Sequence, residues 1–350
     1  MNGTRAIRPG ARRRRTVAAA VGALVAACLA APLPAPAQDQ PQPPPPAVRR
    51  PVTVDDLSVV KLRSRAIANA RSASTLGPQR EGSGVVIDAQ GLVLTIGYLI
   101  LEAETVELST TDGRAFPATV VGYDTATGFG LLRALTPLPI KPAEIGQSSA
   151  LTDREPVLIV GFDGVAPAYV VSRRQFVGYW EYLLDEAIYT APATVNWSGA
   201  ALLSREGKLL GVGSLVVNDA MGPRSQVPGN MFVPIDLLKP RLADLVARGK
   251  SSGAPRPWLG VQTQDVQGNV IVTRVSPGSP AEQAALRPGD VIVGLGGQAI
   301  KGQADFYTRL WARGEAGVDV PLDVLRGGRL EQVTVKSVDR DTYYRTRPTY

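Results

Sequence analysis

Nucleophilic chemistry at neutral pH needs an activated side chain, and this sequence offers few. Its 350 residues contain one cysteine and no histidine. A serine hydroxyl is a weak nucleophile until a base within hydrogen-bond reach takes its proton, and imidazole is the usual base. Histidine is also the only side chain whose unperturbed pKa falls between pH 5 and 8. Serine chemistry here would have to borrow another base, a lysine for instance, as in Ser–Lys dyads. Lys61, Lys141, Lys208 and Lys239 are available in the β-rich part of the chain, and no spacing singles one out. The lone thiol, Cys28, lies close to the amino terminus. If the first 37 residues are removed, no thiol remains, and zinc or copper lose the Cys and His ligands they chiefly draw on. No metal and no cofactor are expected.

The elements that would position such groups begin after a leader. Residues 1–37 carry six arginines and no acid, with a positive run at Arg12–Arg15 and a short apolar stretch, TVAAAVGALVAACLAA, at 16–31. An A-x-A site ends at Ala37. This pattern is that of an export signal. The apolar run is shorter than the roughly 20 residues that span a bilayer. VAAC also resembles a lipobox, so lipidation at Cys28 is the alternative anchor. Removing the leader leaves 32 basic against 31 acidic residues out of the original 38 and 31, which gives no electrostatic footprint for nucleic acid.

Residues 38–56 form a Pro-rich linker, extended by composition. From Leu57 the text turns to short apolar runs broken by Gly, Pro, Asp and Asn. LSVVKLRSRAI, GSGVVIDAQGLVLTI, EPVLIVGF and GKLLGVGSLVV read as strands, and TDGR as a hairpin turn. Many short strands at this spacing predict an all-β sandwich or barrel. Leu237, Leu238, Leu242, Leu245 and Val246 have helical spacing ahead of a stopping glycine. A small-residue linker, 249–257, precedes a second unit at 258–337 with two short helices, SPAEQAAL and QADFYTRLWAR. The end, 338–350, reads as a flexible tail.

Several of these segments, in order, resemble the HtrA/Deg-type serine proteases. They are GSGVVIDAQGLVLTIGYLI, VELSTTDGRAFPATVVGYDTATGFGLLRA, KPAEIGQSSALTDREPVLIVGF and APATVNWSGAALLSREGKLLGVGS. The resemblance covers about residues 57–337. It implies a mostly β chain, a trypsin-like double β-barrel over 57–248 followed by a PDZ domain, with a triad between the barrels. Carried over by position, the triad histidine is Tyr98 and the aspartate is Gly128; Asp124 matches a different acid. Ser198 alone survives. Its setting is altered, with Asn196 and Trp197 before it and Ala200-Ala201 after. A phenol with pKa near 10 is a poor proton acceptor at neutral pH, and glycine orients nothing. Trp197 adds bulk where a substrate carbonyl should sit. Asn196 tolerates a left-handed backbone, which would let the oxyanion turn persist.

The segment RPWLGV, with SPGSPAEQAALRPGDVIVGLGG after it, resembles a PDZ domain of the permuted bacterial type. The resemblance implies that Trp258, Leu259, Gly260 and Val261 form a loop whose backbone N–H groups hold a peptide carboxylate. Phe306 and Leu310 would wall the pocket for the last side chain, or else serve as core. The bound peptide would add as a strand.

Together these readings predict an exported protein of the bacterial periplasm, or a lipoprotein held through Cys28. It would be proteolytically inactive and would bind peptide or unfolded-protein C-termini in protein quality control. The alternative is an active serine endopeptidase using Ser198 with a base other than histidine. Family analogy adds a homo-oligomer, a trimer.

Overall fold

Strands dominate the chain, and their alternation explains why. The computed structural model describes residues 52–344. The first barrel holds β1 (Val59–Ala66), helix α1 (Ala73–Leu76), β2 (Gln79–Val86), β3 (Leu92–Ile96), β4 (Ala103–Ser109), β5 (Ala115–Tyr123) and β6 (Phe129–Ala134). Its strands close in the order β1-β2-β3-β6-β5-β4, all antiparallel. In β1 the residues alternate inward and outward through Leu62, Ser64 and Ala66, while β3 is buried on both faces. The TDGR segment turns between β4 and β5, as its sequence predicts.

The second barrel holds β7 (Pro156–Gly161), β8 (Gly164–Gly178), β9 (Tyr182–Ala191), β10 (Ala201–Leu203), β11 (Leu209–Val217) and β12 (Gly229–Pro234). It closes as β10-β11-β12-β9-β8-β7. One apolar cluster runs through both barrels, from Leu62 and Leu94 to Tyr189 and Val212. The predicted helix over 235–249 is broken: a single turn, Ile235–Leu237, precedes α2 (Leu242–Arg248). Pro240 supplies no N–H and disfavours the helical conformation of the residue before it. Leu238 and Leu245 are buried, but Val246 faces solvent.

The carboxy-terminal domain contains β13 (Pro257–Trp258), β14 (Val261–Val266), β15 (Asn269–Val275), α3 (Pro280–Gln283), β16 (Val291–Leu295), β17 (Gln298–Ala299), α4 (Gln303–Trp311), β18 (Asp319–Arg326), β19 (Arg329–Lys336), β20 (Val338–Asp339) and α5 (Arg340–Tyr343). It has its own apolar core, against which Val177 of β8 also packs. The sheet order is β14-β15-β16-β18-β19, with β17 on β16. Ser279 caps α3 by accepting from the Glu282 amide.

Two boundaries differ from the sequence reading. Residues 338–344 are not a flexible tail. Val338 and Asp339 pair with Trp258 and Pro257, and Tyr343 is only 6% exposed. Its ring lies 4.5 Å from that of Trp258, its hydroxyl donates to the Pro277 carbonyl at 2.8 Å, and the Arg71 guanidinium covers its other side. Burial of one large ring outweighs the polar composition of the segment. At the other end, the last residues of the Pro-rich linker, 53–56, are structured. Thr53 and Asp56 form a capping box at the turn Val54–Leu57. Residues 1–37, read from sequence as an export signal, Cys28 among them, and the last six residues lie outside the described residues.

Candidate functional site

Ser198 sits at the start of the tight turn that leads into β10, and its carbonyl accepts from the Ser83 amide of β2 at 2.8 Å. That bond ties the serine to the opposite barrel. Tyr98 follows β3, in the single turn Gly97–Leu99. The structure brings the two together: Tyr98 Oη and Ser198 Oγ are 2.9 Å apart. The same phenol donates to the Ser214 carbonyl, also at 2.9 Å. A phenol has one proton. With that proton on Ser214, the serine hydroxyl must be the donor to Tyr98. Burial, only partly offset by the bond to Ser198, raises the Tyr98 phenol well above its ordinary pKa of 10. At neutral pH the partner of Ser198 is a neutral phenol.

The third position is closed as well. Gly128 has φ +81°, and a Cβ there would meet Tyr182 Oη at 3.4 Å and Ile96 Cδ1 at 3.5 Å. Tyr182 packs beside Gly128 and donates to the Thr127 carbonyl at 2.5 Å. Asp124 is buried nearby but committed elsewhere. It accepts from Thr127 Oγ1 at 2.5 Å and pairs with Arg241 at 3.3 Å. Its role is to hold the turn ahead of Gly128.

The turn before the serine is rebuilt. The Asn196 amide, two residues ahead of Ser198, donates to Thr194 Oγ1 at 3.3 Å. Asn196 is not left-handed; in this turn the positive φ belongs to Gly199. One backbone donor that could face an oxyanion is thus engaged within its own loop. Trp197 lies 6.4 Å from Tyr98, ring to ring. Together with Tyr123, Trp180 and Tyr182 these rings line a cavity of about 220 Å³. No lysine takes the missing role. Lys61 pairs with Glu81, Lys208 with Glu144 and Lys239 with Asp236, while Lys141 is exposed and its carbonyl accepts from Ser58.

In the carboxy-terminal domain the structure gathers Trp258, Leu259, Gly260 and Val261 into one loop. Gly260 has φ +87°, and a Cβ there would fall 2.3 Å from Ser279 Cβ, so only glycine fits. Trp258 packs on Tyr343 rather than facing the loop's concave side. The loop already holds a carboxylate. Leu259 N donates to Glu181 Oε2 at 2.9 Å, and Gly260 N and Val261 N donate to Glu181 Oε1 at 2.7 and 3.0 Å. Phe306 and Leu310 are both 0% exposed, within the domain core. Polar contact from α4 comes instead from Gln303 and Tyr307, whose hydroxyl accepts from the Glu181 amide at 3.2 Å. Sequence reading passes over Glu181, Gln303 and Tyr307. GYWEYLL looks like any acidic residue in a strand turn, and its partner lies 78 to 80 positions away.

Comparison with known proteins agrees with this architecture. Residues 82–212 match the trypsin-like peptidase domain and residues 257–337 the PDZ domain. HhoA of Synechocystis sp. is 28% identical over 288 residues, covering 73% of this chain and 70% of its own. The periplasmic pH-dependent serine endoprotease DegQ of Escherichia coli is 28% identical over 271 residues, covering 73% of this chain and 58% of its own. Among solved structures, the HtrA-type protease AlgW with decapeptide aligns at a TM-score of 0.48 with 21% identity, covering 84% of this chain and 97% of its own.

Proposed function

We propose, from the premise that this chain belongs to the HtrA-type serine proteases with a PDZ domain, that it binds peptides or protein partners without cutting them. One observation carries this reading: among the described residues, the side chain that meets the Ser198 hydroxyl is a neutral phenol whose O–H already donates to the Ser214 carbonyl. A group in that state has no useful basicity, and its own ionisation lies above the range of living cells. Gly128 and the engaged Asn196 amide support the same conclusion. Fold carries no activity by itself; the site does. Peptide binding rests on the PDZ loop, which is built to satisfy a carboxylate with backbone donors. The setting proposed is the bacterial envelope. The arginine-led leader reads as an export signal, and a relative with 28% identity is named periplasmic.

The test is direct. Purified wild type should leave casein intact and Ser198 unlabelled by a fluorophosphonate, with Ser198→Ala indistinguishable from it. Cleavage by wild type that Ser198→Ala abolishes would establish the second reading, a serine endopeptidase working through the 2.9 Å contact with Tyr98.

A further inference from the structure

The turn between β8 and β9 places Glu181 in a conformation that glutamate rarely adopts. Its φ is +57°, in the left-handed region. The residue is 5% exposed. Buried carboxylates and left-handed non-glycine residues each carry a cost, and they persist where surrounding contacts over-determine them. Here those contacts are complete. Both carboxylate oxygens accept backbone N–H bonds from Leu259, Gly260 and Val261. The Glu181 amide donates to Tyr307 Oη, which also meets Thr263 Oγ1 at 2.9 Å. Gln303 Nε2 closes the network onto Tyr307 Oη at 3.1 Å and the Thr263 carbonyl at 2.9 Å.

A second feature of the same turn matters as much. The Thr263 amide of β14 donates to the Tyr179 carbonyl at 2.9 Å. An extended peptide entering this domain needs two things: a carboxylate on the loop, and main-chain bonds along the adjacent strand edge. The barrel supplies both from one turn, with Glu181 in the first place and Tyr179 in the second.

We propose that Tyr179–Glu181 is an internal ligand of the PDZ domain, its side-chain carboxylate standing in for a peptide's terminal carboxylate. This rests on the peptide-binding reading above and adds its regulation: the groove is closed in cis, and an external peptide binds only by displacing the turn. Apparent affinity then equals the intrinsic affinity multiplied by the fraction of molecules in which the turn has left.

The test uses the whole chain, as wild type, Glu181→Gly and Glu181→Gln. Glycine keeps the left-handed turn without backbone cost; glutamine keeps the size and loses the charge. The probes are fluorescein-labelled mixed-sequence heptapeptides ending in Val, Leu or Phe, as free acids and as amides, read by polarisation. Glu181→Gly should bind the free acids at least about tenfold more tightly than wild type, and the amides no better. Glu181→Gln keeps a carbonyl acceptor in the loop and should bind the free acids more weakly than Glu181→Gly does. Hydrogen exchange over residues 259–261 is the second measurement: protection in wild type should fall about tenfold or more in Glu181→Gly. Measurable but equal free-acid affinity in wild type and Glu181→Gly, or equal exchange, overturns the internal ligand. Lost protection without binding of any probe supports the internal ligand and sinks the peptide-binding reading instead.

Discussion

At the scale of single residues, three positions carry the proposed reading of this barrel. Ser198, Tyr98 and Gly128 were legible because they sit in short sequence patterns whose order and spacing resemble the family's triad segments. Their neighbours were less legible. Nothing local announces that Tyr182 fills the space beside Gly128, because 54 residues separate them. That neighbour governs the obvious repair experiment. Gly128→Asp must take φ +81°, with its Cβ in ordinary contact with Tyr182 and Ile96. The backbone term alone should cost about 1–2 kcal/mol. Tyr98→His with Gly128→Asp is therefore expected to lower the urea midpoint and still yield no casein cleavage. Rapid cleavage by the double variant would show that the rebuilt turn at Asn196 and Trp197 is no obstacle.

Among the elements, strands were read well from alternation, since barrels bury one face of most strands. The last segment was misread. DRDTYYRTRPTY is polar by composition, yet β20 and α5 are held by one ring. Tyr343 packs between Trp258 and Arg71 and reaches the Pro277 carbonyl. Composition averages over a segment and cannot register one anchoring contact across 85 positions. Tyr343→Ala should destabilise the carboxy-terminal domain by about 3 kcal/mol, as large-to-small changes at buried aromatic sites do. Denaturant unfolding followed by Trp258 fluorescence measures it; a shift below about 0.5 kcal/mol would mean that β20 holds without the ring. The same contact shows why a fragment ending at residue 337 is a poor surrogate for the domain.

Over the whole molecule, the seam between barrel and PDZ domain was invisible to sequence reading, because it joins two patterns that each look complete alone. Its electrostatics give a pH prediction. Burial pushes Glu181 from its ordinary 4.5 up to about 7, against the three N–H bonds and the Arg340 guanidinium that pull it down. Tyr307, the other titratable group in contact, stays neutral, its phenol raised by burial to about 12. The closed form therefore holds a proton that the open form gives up. Closure is favoured most below about pH 4.5 and weakens as pH rises to about 7, by up to about 3 kcal/mol at 1.36 kcal/mol per pKa unit. Protonation at Oε2 would still leave Oε1 accepting from Gly260 and Val261. Wild-type affinity for a free-acid peptide should climb between pH 4.5 and 7 and level off above, whereas Glu181→Gln should stay flat. Asp341, raised by burial to about 6 beside Arg340, lies at the same seam, and the glutamine variant separates its effect. A flat wild-type profile would exclude Glu181 as the titrating group.

The turn that enters the PDZ loop also supplies Tyr179, Trp180 and Tyr182 to the cavity beside Ser198. The two concavities share a wall, so their hydration is linked. A peptide that draws the turn out of the loop lets water reach more of the half-buried Trp180 ring and the buried Tyr182 ring. Part of the apolar area buried by the peptide is repaid by area newly wetted in the barrel cleft. The heat capacity of binding should accordingly be less negative for the wild type than for a chain whose turn has already let go. The cleft between the barrels would then take part in the thermodynamics of each binding event.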